Sequence, residues 1–313
     1  MSEFGMPYMG SKSGIAESIA INFPKADHFY DLFGGGFSMT HCMLETKAKN
    51  YTHFHYNEIK PYIVDVVRRA IAGEFNYATF KPPWVSRAEF HEKKYTDGYV
   101  AACWSFGNNG ENYLFSEDIE EYKRTMHMAV VFGEFNSFAK DVLKFDKWPE
   151  NARTIKQRRI YLRQLLEHYR KTKLPSVLIP FLSEKQKASL AAHRPFQELQ
   201  QLEQLERLQQ LERLQQLQQL TLTSLDYRAV EILPNSVAYC DIPYAGTAEY
   251  GNSFNHKEFF DWAASRTFPV FISEYDVPDK RFKLIYEVKK RCILTQAGDS
   301  NKVKKERLYW NGV

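Results

Sequence analysis

Apolar residues in this chain fall into short runs that stop abruptly, and the spacing that follows each stop differs from the spacing before it. Residues 27–33 (DHFYDLF) form an aromatic-rich run ending at Gly34-Gly35-Gly36, after which FSMTHCMLETKA has helix-like spacing. This predicts strand, turn and helix in succession. The run 51–56 (YTHFHY) has strand composition and ends at Asn57-Glu58. IKPYIVDVVRRAI then carries apolar residues at helical spacing, with Pro61 near its start, where a helix tolerates proline. Residues 27–72 therefore read as β-α-β-α, the opening of a doubly wound sheet. Three later segments have the look of buried strands: SVAYC (236–240), FPVFIS (268–273) and RCILT (291–295). Between the two sets, residues 85–196 are polar and aromatic, with a Gly/Asn-rich turn (FGNNGENY, 106–113) and helical patterns. The sheet is expected to be interrupted there by a second, mostly helical module.

Residues 199–220 follow a different rule. Leu199, Leu202, Leu205, Leu208, Leu211, Leu214, Leu217 and Leu220 recur at every third position among Gln, Glu and Arg. Three residues turn an α-helix by roughly 300°, so a long helix would wind this stripe around its axis. The period also misses the 3.5-residue average of a coiled coil. The expectation is a low-complexity insert in a tolerant loop, with self-association or DNA contact as the alternatives.

Composition narrows the classes. The chain is 44% hydrophobic and 26% charged over 313 residues, and no apolar run reaches the roughly 20 residues of a membrane span. With no signal-peptide layout at the start, the expected location is the cytoplasm. Cys42, Cys103, Cys240 and Cys292 are scattered with no C-x-x-C pair, which argues against a zinc site or a disulfide framework. His53 and His55 lack convincing ligand partners and read as structural. The net charge is +4, yet residues 153–194 alone hold eleven Lys/Arg against Glu167 and Glu184. Such a cluster is either a phosphate-contacting surface or a solvated helix face.

Three segments could carry chemistry. Tyr8-Met9-Gly10-Ser11-Lys12 is a glycine turn with a lysine opening a helical stretch. In Asp31-Leu32-Phe33-Gly34-Gly35-Gly36, glycines after a strand allow close backbone approach to a ligand, and the acidic Glu58 at the next strand end suits ribose hydroxyls. That pattern fits a nucleotide-type pocket, or a tight turn with a surface Glu. It does not separate a nicotinamide cofactor from S-adenosylmethionine. In Asp241-Ile242-Pro243-Tyr244 a carboxylate, a constrained carbonyl and an aromatic ring converge after a strand. Such a set can accept hydrogen bonds from an amino group and stack on an extruded base.

Taken in order, these segments resemble the Dam-type (D12 class) family of DNA adenine-N6 methyltransferases. Tyr8–Lys12 is similar to that family's N-terminal cofactor motif, DLFGGGFS (31–38) to its glycine motif, and Asn57-Glu58-Ile59 to its acidic motif. Asp241–Tyr244 is similar to the D-P-P-Y catalytic motif, with Ile242 where the family usually has the first proline. Weaker echoes are Phe106–Gly110, Ile272–Asp276 and Glu306–Asn311.

The resemblance implies an α/β, Rossmann-like methyltransferase sheet with an inserted helical target-recognition module. The expected parts are a first methyltransferase segment (1–84), the recognition module (85–196), the leucine/glutamine repeat insert (197–225) and a second methyltransferase segment (226–313). It implies S-adenosylmethionine as cofactor, no metal, and double-stranded DNA as partner. Lys12 would pair with the cofactor's carboxylate, Asp31 with its amino group and Glu58 with its ribose. Tyr8, Phe33, Gly34, Gly36 and Ile59 would complete the pocket, while Asp241, Ile242, Pro243 and Tyr244 would act on the base. The rival readings are a cytosine-N4 or RNA methyltransferase of the same fold, and a non-catalytic DNA-binding or scaffolding protein.

Overall fold

The computed structural model describes residues 4–172, 175–181, 199–215, 219–244, 254–291 and 303–313. The aromatic run after residue 27 is strand β1 (His28–Asp31), and the spacing change at the glycines marks helix α2 (Ser38–Thr46), preceded by the short α1 (Ala16–Ala20). Strand β2 (His53–Asn57) and α3 (Pro61–Ile71) follow, with Pro61 as the first helical residue. Late in the chain come β3 (Leu220–Thr223), β4 (Ser236–Asp241), β5 (Val270–Glu274), β6 (Lys283–Arg291) and β7 (Val303–Trp310). Of the RCILT segment, Arg291 ends β6 and the remainder lies outside the described residues.

The seven strands form one sheet in the order β3-β2-β1-β4-β5-β7-β6. β1 pairs in parallel with both β2 and β4, β2 with β3, and β4 with β5, while β7 runs antiparallel to β5 and β6. This is a Rossmann-like α/β sheet. Its strand order reverses between β1 and β4, and at such a reversal the carboxyl ends of neighbouring strands border a crevice. Asp31 and Asp241, the last residues of β1 and β4, stand at that edge.

Contacts divide the described chain into two units. The first comprises Gly10–Arg68 and Leu214–Val313 with the N-terminal residues to Met6; the second comprises Pro7–Met9 and Arg69–Arg213. In the first unit the inner strands β1, β4 and β5 are buried on both faces, as a covered parallel sheet requires. On one face Phe23 packs against Phe29, Tyr239 and Phe271. On the other, Tyr30, Ala238, Cys240, Ile242 and Ile272 pack against Phe259, Phe260 and Ala263 of α10 (His256–Ala264).

The second unit is helical as expected: α4 (Arg87–Lys93), α5 (Gly98–Cys103), α6 (Glu117–Phe132), α7 (Ser137–Leu143) and α8 (Ile155–Lys171). Ser86 and Thr154 begin α4 and α8 with reciprocal capping boxes to Glu89 and Gln157. Part of the leucine repeat departs from the loop that its period suggests. Gln200–Gln209 is an α-helix (α9), continued by a 3₁₀ turn at Gln210–Leu214. Leu199, Leu202, Leu205, Leu208, Leu211 and Leu214 are all buried. The stripe drifts by roughly 60° per leucine only while the helix stays α. A 3₁₀ helix has three residues per turn, so the switch at residue 210 stops the drift. Polar residues of the repeat are held too: Gln201 bonds the His127 ring (3.2 Å), Gln209 donates to the Phe75 carbonyl (2.7 Å) and Asn76 donates to Glu212 (3.0 Å). Leu217 lies outside the described residues, and Leu220 begins β3. Among the described residues, no helix is long and apolar enough to cross a membrane.

Candidate active site

The glycine turn after β1 is shaped by a tyrosine from the neighbouring strand. A Cβ on Gly34 would stand 2.2 Å from the Tyr56 ring, so only glycine fits at this position. The Tyr56 hydroxyl donates to the Gly35 carbonyl (2.6 Å), and the Gly34 amide donates to the Asn57 carbonyl (2.8 Å). Glu58 closes the turn. One of its carboxylate oxygens accepts from the Gly35 amide (3.0 Å), the other from the Lys60 amide (3.2 Å). Burial raises the Glu58 pKa, against the pull of those two amides and of the Lys60 charge.

Asp31 is 1% exposed, and one of its two oxygens is engaged: Oδ2 accepts from the Thr40 hydroxyl (2.8 Å) and amide (3.3 Å). Its Oδ1 is buried with no hydrogen-bond partner. Burial pushes this carboxyl up to about 7, Thr40 opposing the shift and the charges of Asp241 and Glu58 adding to it. A buried acceptor in that state calls for a donor, preferably cationic. The α-ammonium of S-adenosylmethionine has that chemistry, so Asp31 and the adjoining Glu58 fit the cofactor implied by the sequence.

Lys12 is drawn to the same edge. Its backbone amide donates to Ser38 Oγ in the first turn of α2 (3.2 Å). Its ammonium lies 2.8 Å from Asp241 Oδ1 and 3.3 Å from Glu306 Oε1 of β7, and 4.7 Å from the centre of the Tyr244 ring. Burial opposes its charge, but Asp241 and Glu306 together outweigh that, and the Lys12 pKa lies above the usual lysine value. The lysine that the resemblance assigns to the cofactor's carboxylate is here joined to two carboxylates of the protein.

The Asp241–Tyr244 segment is pinned at several points. The Ile242 side chain is buried in the cluster beneath α10. The Pro243 carbonyl accepts from His256 Nε2, at the first residue of that helix (2.8 Å). The Tyr244 hydroxyl donates to Glu306 Oε1, and its ring meets Tyr275 edge-on at 4.5 Å. Burial, with the negative charges of Asp241 and Glu306, holds the Tyr244 hydroxyl far above its ordinary pKa, so it remains a donor.

The structure thus joins Lys12, Asp241 and Tyr244 directly, and sets Asp31, Gly34, Gly36 and Glu58 around one turn. Phe33 packs its ring against Tyr227, Phe254 and Phe259 within the aromatic cluster. Ile59 is 61% exposed, and Tyr8 falls in the Pro7–Met9 segment of the second unit. Glu306, His256 and Thr40 had no role in the sequence reading. Only the faint Glu306–Asn311 echo pointed toward the first of them.

The basic segment proves to be partly engaged inside the second unit. Arg158 donates to the carbonyls of Val130 and Ala152, Arg159 forks onto Glu206 (2.9 and 3.1 Å), and Arg153 pairs with Glu150. Lys156, Ile160, Arg163 and Gln164 are exposed along α8, at a spacing that puts them on one face. Lys173 and residues 182–194 of the cluster lie outside the described residues.

Residues 8–271 match the family model of the D12 class N6 adenine-specific DNA methyltransferases. No curated protein matches the chain.

Proposed function

The chain belongs to the D12 class N6 adenine-specific DNA methyltransferase family, and from that premise we propose that it methylates the N6 of an adenine extruded from duplex DNA, with Asp241 and Tyr244 at the base. The observation that carries this reading is the meeting of Asp241, Tyr244 and Lys12 at the carboxyl edge of the sheet, beside the reversal of strand order.

S-adenosylmethionine supplies an activated methyl group on a sulfonium. Asp31 would hold its ammonium through the unpartnered Oδ1, and Glu58 its ribose, in the turn that Gly34 keeps open. The remaining work falls to the chain's own groups. The adenine amino nitrogen is a poor nucleophile, because its lone pair is delocalised into the ring. As it attacks, that nitrogen rehybridises and its N–H groups become stronger donors. Asp241 and the Ile242 carbonyl are the acceptors that stabilise this change, and preorganised acceptors need no rearrangement as the charge develops. Tyr244 stacks on the base and sets its approach. Phosphate contact is assigned to the exposed Lys156 and Arg163 of α8.

The test is transfer of labelled methyl from S-adenosylmethionine to unmethylated duplex DNA, with the product digested to nucleosides. N6-methyladenine is expected from the wild type, and a rate lower by about 10²–10³ from Asp241→Ala, as for loss of an oriented polar group at a reacting centre. Cofactor binding without methyl transfer to DNA would turn the search to RNA. Methylation at cytosine N4 would overturn the assignment.

A further inference from the structure

Glu306 lies on β7, 65 residues beyond Asp241 in the chain, and is buried. Its carboxylate holds two groups of the site at once: it accepts from the Tyr244 hydroxyl and lies 3.3 Å from the Lys12 ammonium. Resting on the methyltransferase reading above, we propose that Glu306 is a positioning residue, which sets the Tyr244 ring and shares the charge of Lys12 so that Asp241 remains a strong acceptor.

The reasoning is electrostatic and geometric. A lone Lys12–Asp241 pair would be neutral, and an aspartate fully matched by an ammonium 2.8 Å away has less to offer an amino group. With Glu306 beside it, the cluster holds two carboxylates against one ammonium, a surplus of one negative charge where the amino nitrogen turns cationic. Charge placed in advance where it is needed in the transition state acts on the rate more than on binding. The second grip concerns the ring. Tyr244 follows a proline whose carbonyl is fixed by His256, and Glu306 holds the hydroxyl at the far side of the Tyr244 ring. Fastening both ends fixes the plane on which a base would stack.

The two grips can be separated by substitution in the full chain. Glu306→Met removes both. Glu306→Gln keeps an acceptor for the Tyr244 hydroxyl and removes the charge. Tyr244→Phe keeps the ring and removes the hydroxyl. Each variant, with the double variant Glu306→Met/Tyr244→Phe, is assayed for kcat and KM on unmethylated duplex DNA, for S-adenosylmethionine affinity by equilibrium titration, and for its unfolding midpoint. The wild type and Asp241→Ala run alongside.

Glu306→Met is expected to lower kcat by about 100-fold and Tyr244→Phe by about tenfold, with the double variant no slower than Glu306→Met, because residues acting as a unit are not additive. Glu306→Gln is expected to recover about tenfold over Glu306→Met, with cofactor affinity within about twofold of the wild type throughout. If Glu306→Met fails to fold, Glu306→Gln decides alone: a wild-type kcat there overturns the charge-sharing role. Losses that multiply in the double variant overturn the Tyr244 grip. Weakened cofactor binding in step with kcat would make Glu306 merely structural. An active wild type with a dead Asp241→Ala and unaffected Glu306 variants removes this inference alone. A wild type that makes no N6-methyladenine removes the reading beneath it.

Discussion

Lys12 Nζ and Asp241 Oδ1 stand 2.8 Å apart, although 229 positions separate them in the chain. One comes from a turn before the first helix, the other from the end of a central strand, and both lie where the strand order reverses. The pair ties the N-terminal segment to the Asp241–Tyr244 segment. Removing one partner of a mostly buried pair leaves the other charge uncompensated. Lys12→Met is therefore expected to cost about 3 kcal/mol of stability. On the role proposed for Asp241, methyl transfer should fall by about 10² or more. Urea unfolding and the labelled-methyl assay measure the two effects separately.

Asp31 makes stability depend on pH. Its folded pKa of about 7 lies above the ordinary 3.8, so the folded state binds its proton more tightly than the unfolded state does. The stability this contributes is full below about pH 4 and is lost as pH rises towards 7, an effect of a few kcal/mol for a shift of this size. His55 and His127 act in the opposite sense. Burial, aided for His55 by His28 and His53, lowers each to about 4, so both favour the fold as pH rises from 4 to 6.5. Because both histidines remain in Asp31→Asn, the difference between wild-type and variant stability isolates Asp31. Asp31→Asn is expected to gain on the wild type steadily between pH 4 and 7 in urea titrations. A constant difference over that range would show that Asp31 does not hold its proton.

Gly34→Ala places a methyl group 2.2 Å from a fully buried tyrosine ring whose hydroxyl is itself bonded to the turn. Neither side can move without breaking that bond. A loss of about 3 kcal/mol is expected, at the upper end for overpacking, with weaker S-adenosylmethionine binding as the turn is displaced. Chemical denaturation and equilibrium titration of the cofactor test this. An Ala variant of wild-type stability would mean that the turn is wider than the Tyr56 contact indicates.

Charge reversal on α8 tests the proposed phosphate contact. Lys156→Glu and Arg163→Glu are each expected to weaken DNA binding uniformly across sequences and to reduce the slope of log K against log salt by about one. Arg159→Ala, which breaks the fork onto Glu206, is expected to lower the unfolding midpoint instead. Salt-dependent binding curves separate the two classes.

Much of the site was legible because its signals are local. The strand ending at Asp31, the glycines after it, the acidic Glu58 and the tetrapeptide from Asp241 are each written in a few consecutive residues. Local spacing and composition dictate such elements wherever the chain goes. The parallel β-α-β-α opening and the helical module followed from the same patterns. Tertiary structure decided the rest. Period three reads as a loop until one sees an α-helix give way to a 3₁₀ turn and keep Leu202 to Leu214 buried. Charge density alone left a phosphate-contacting surface and a solvated helix face open, and folding sorts the cluster: Arg158 and Arg159 bond within their own unit, while Lys156 and Arg163 are exposed. That Lys12 meets Asp241 and Glu306 is written in no local pattern, because folding alone brings them together. Those outcomes depend on residues tens to hundreds of positions apart. Only the folded sheet, by excluding water and bringing strand ends together, determines which charge meets which.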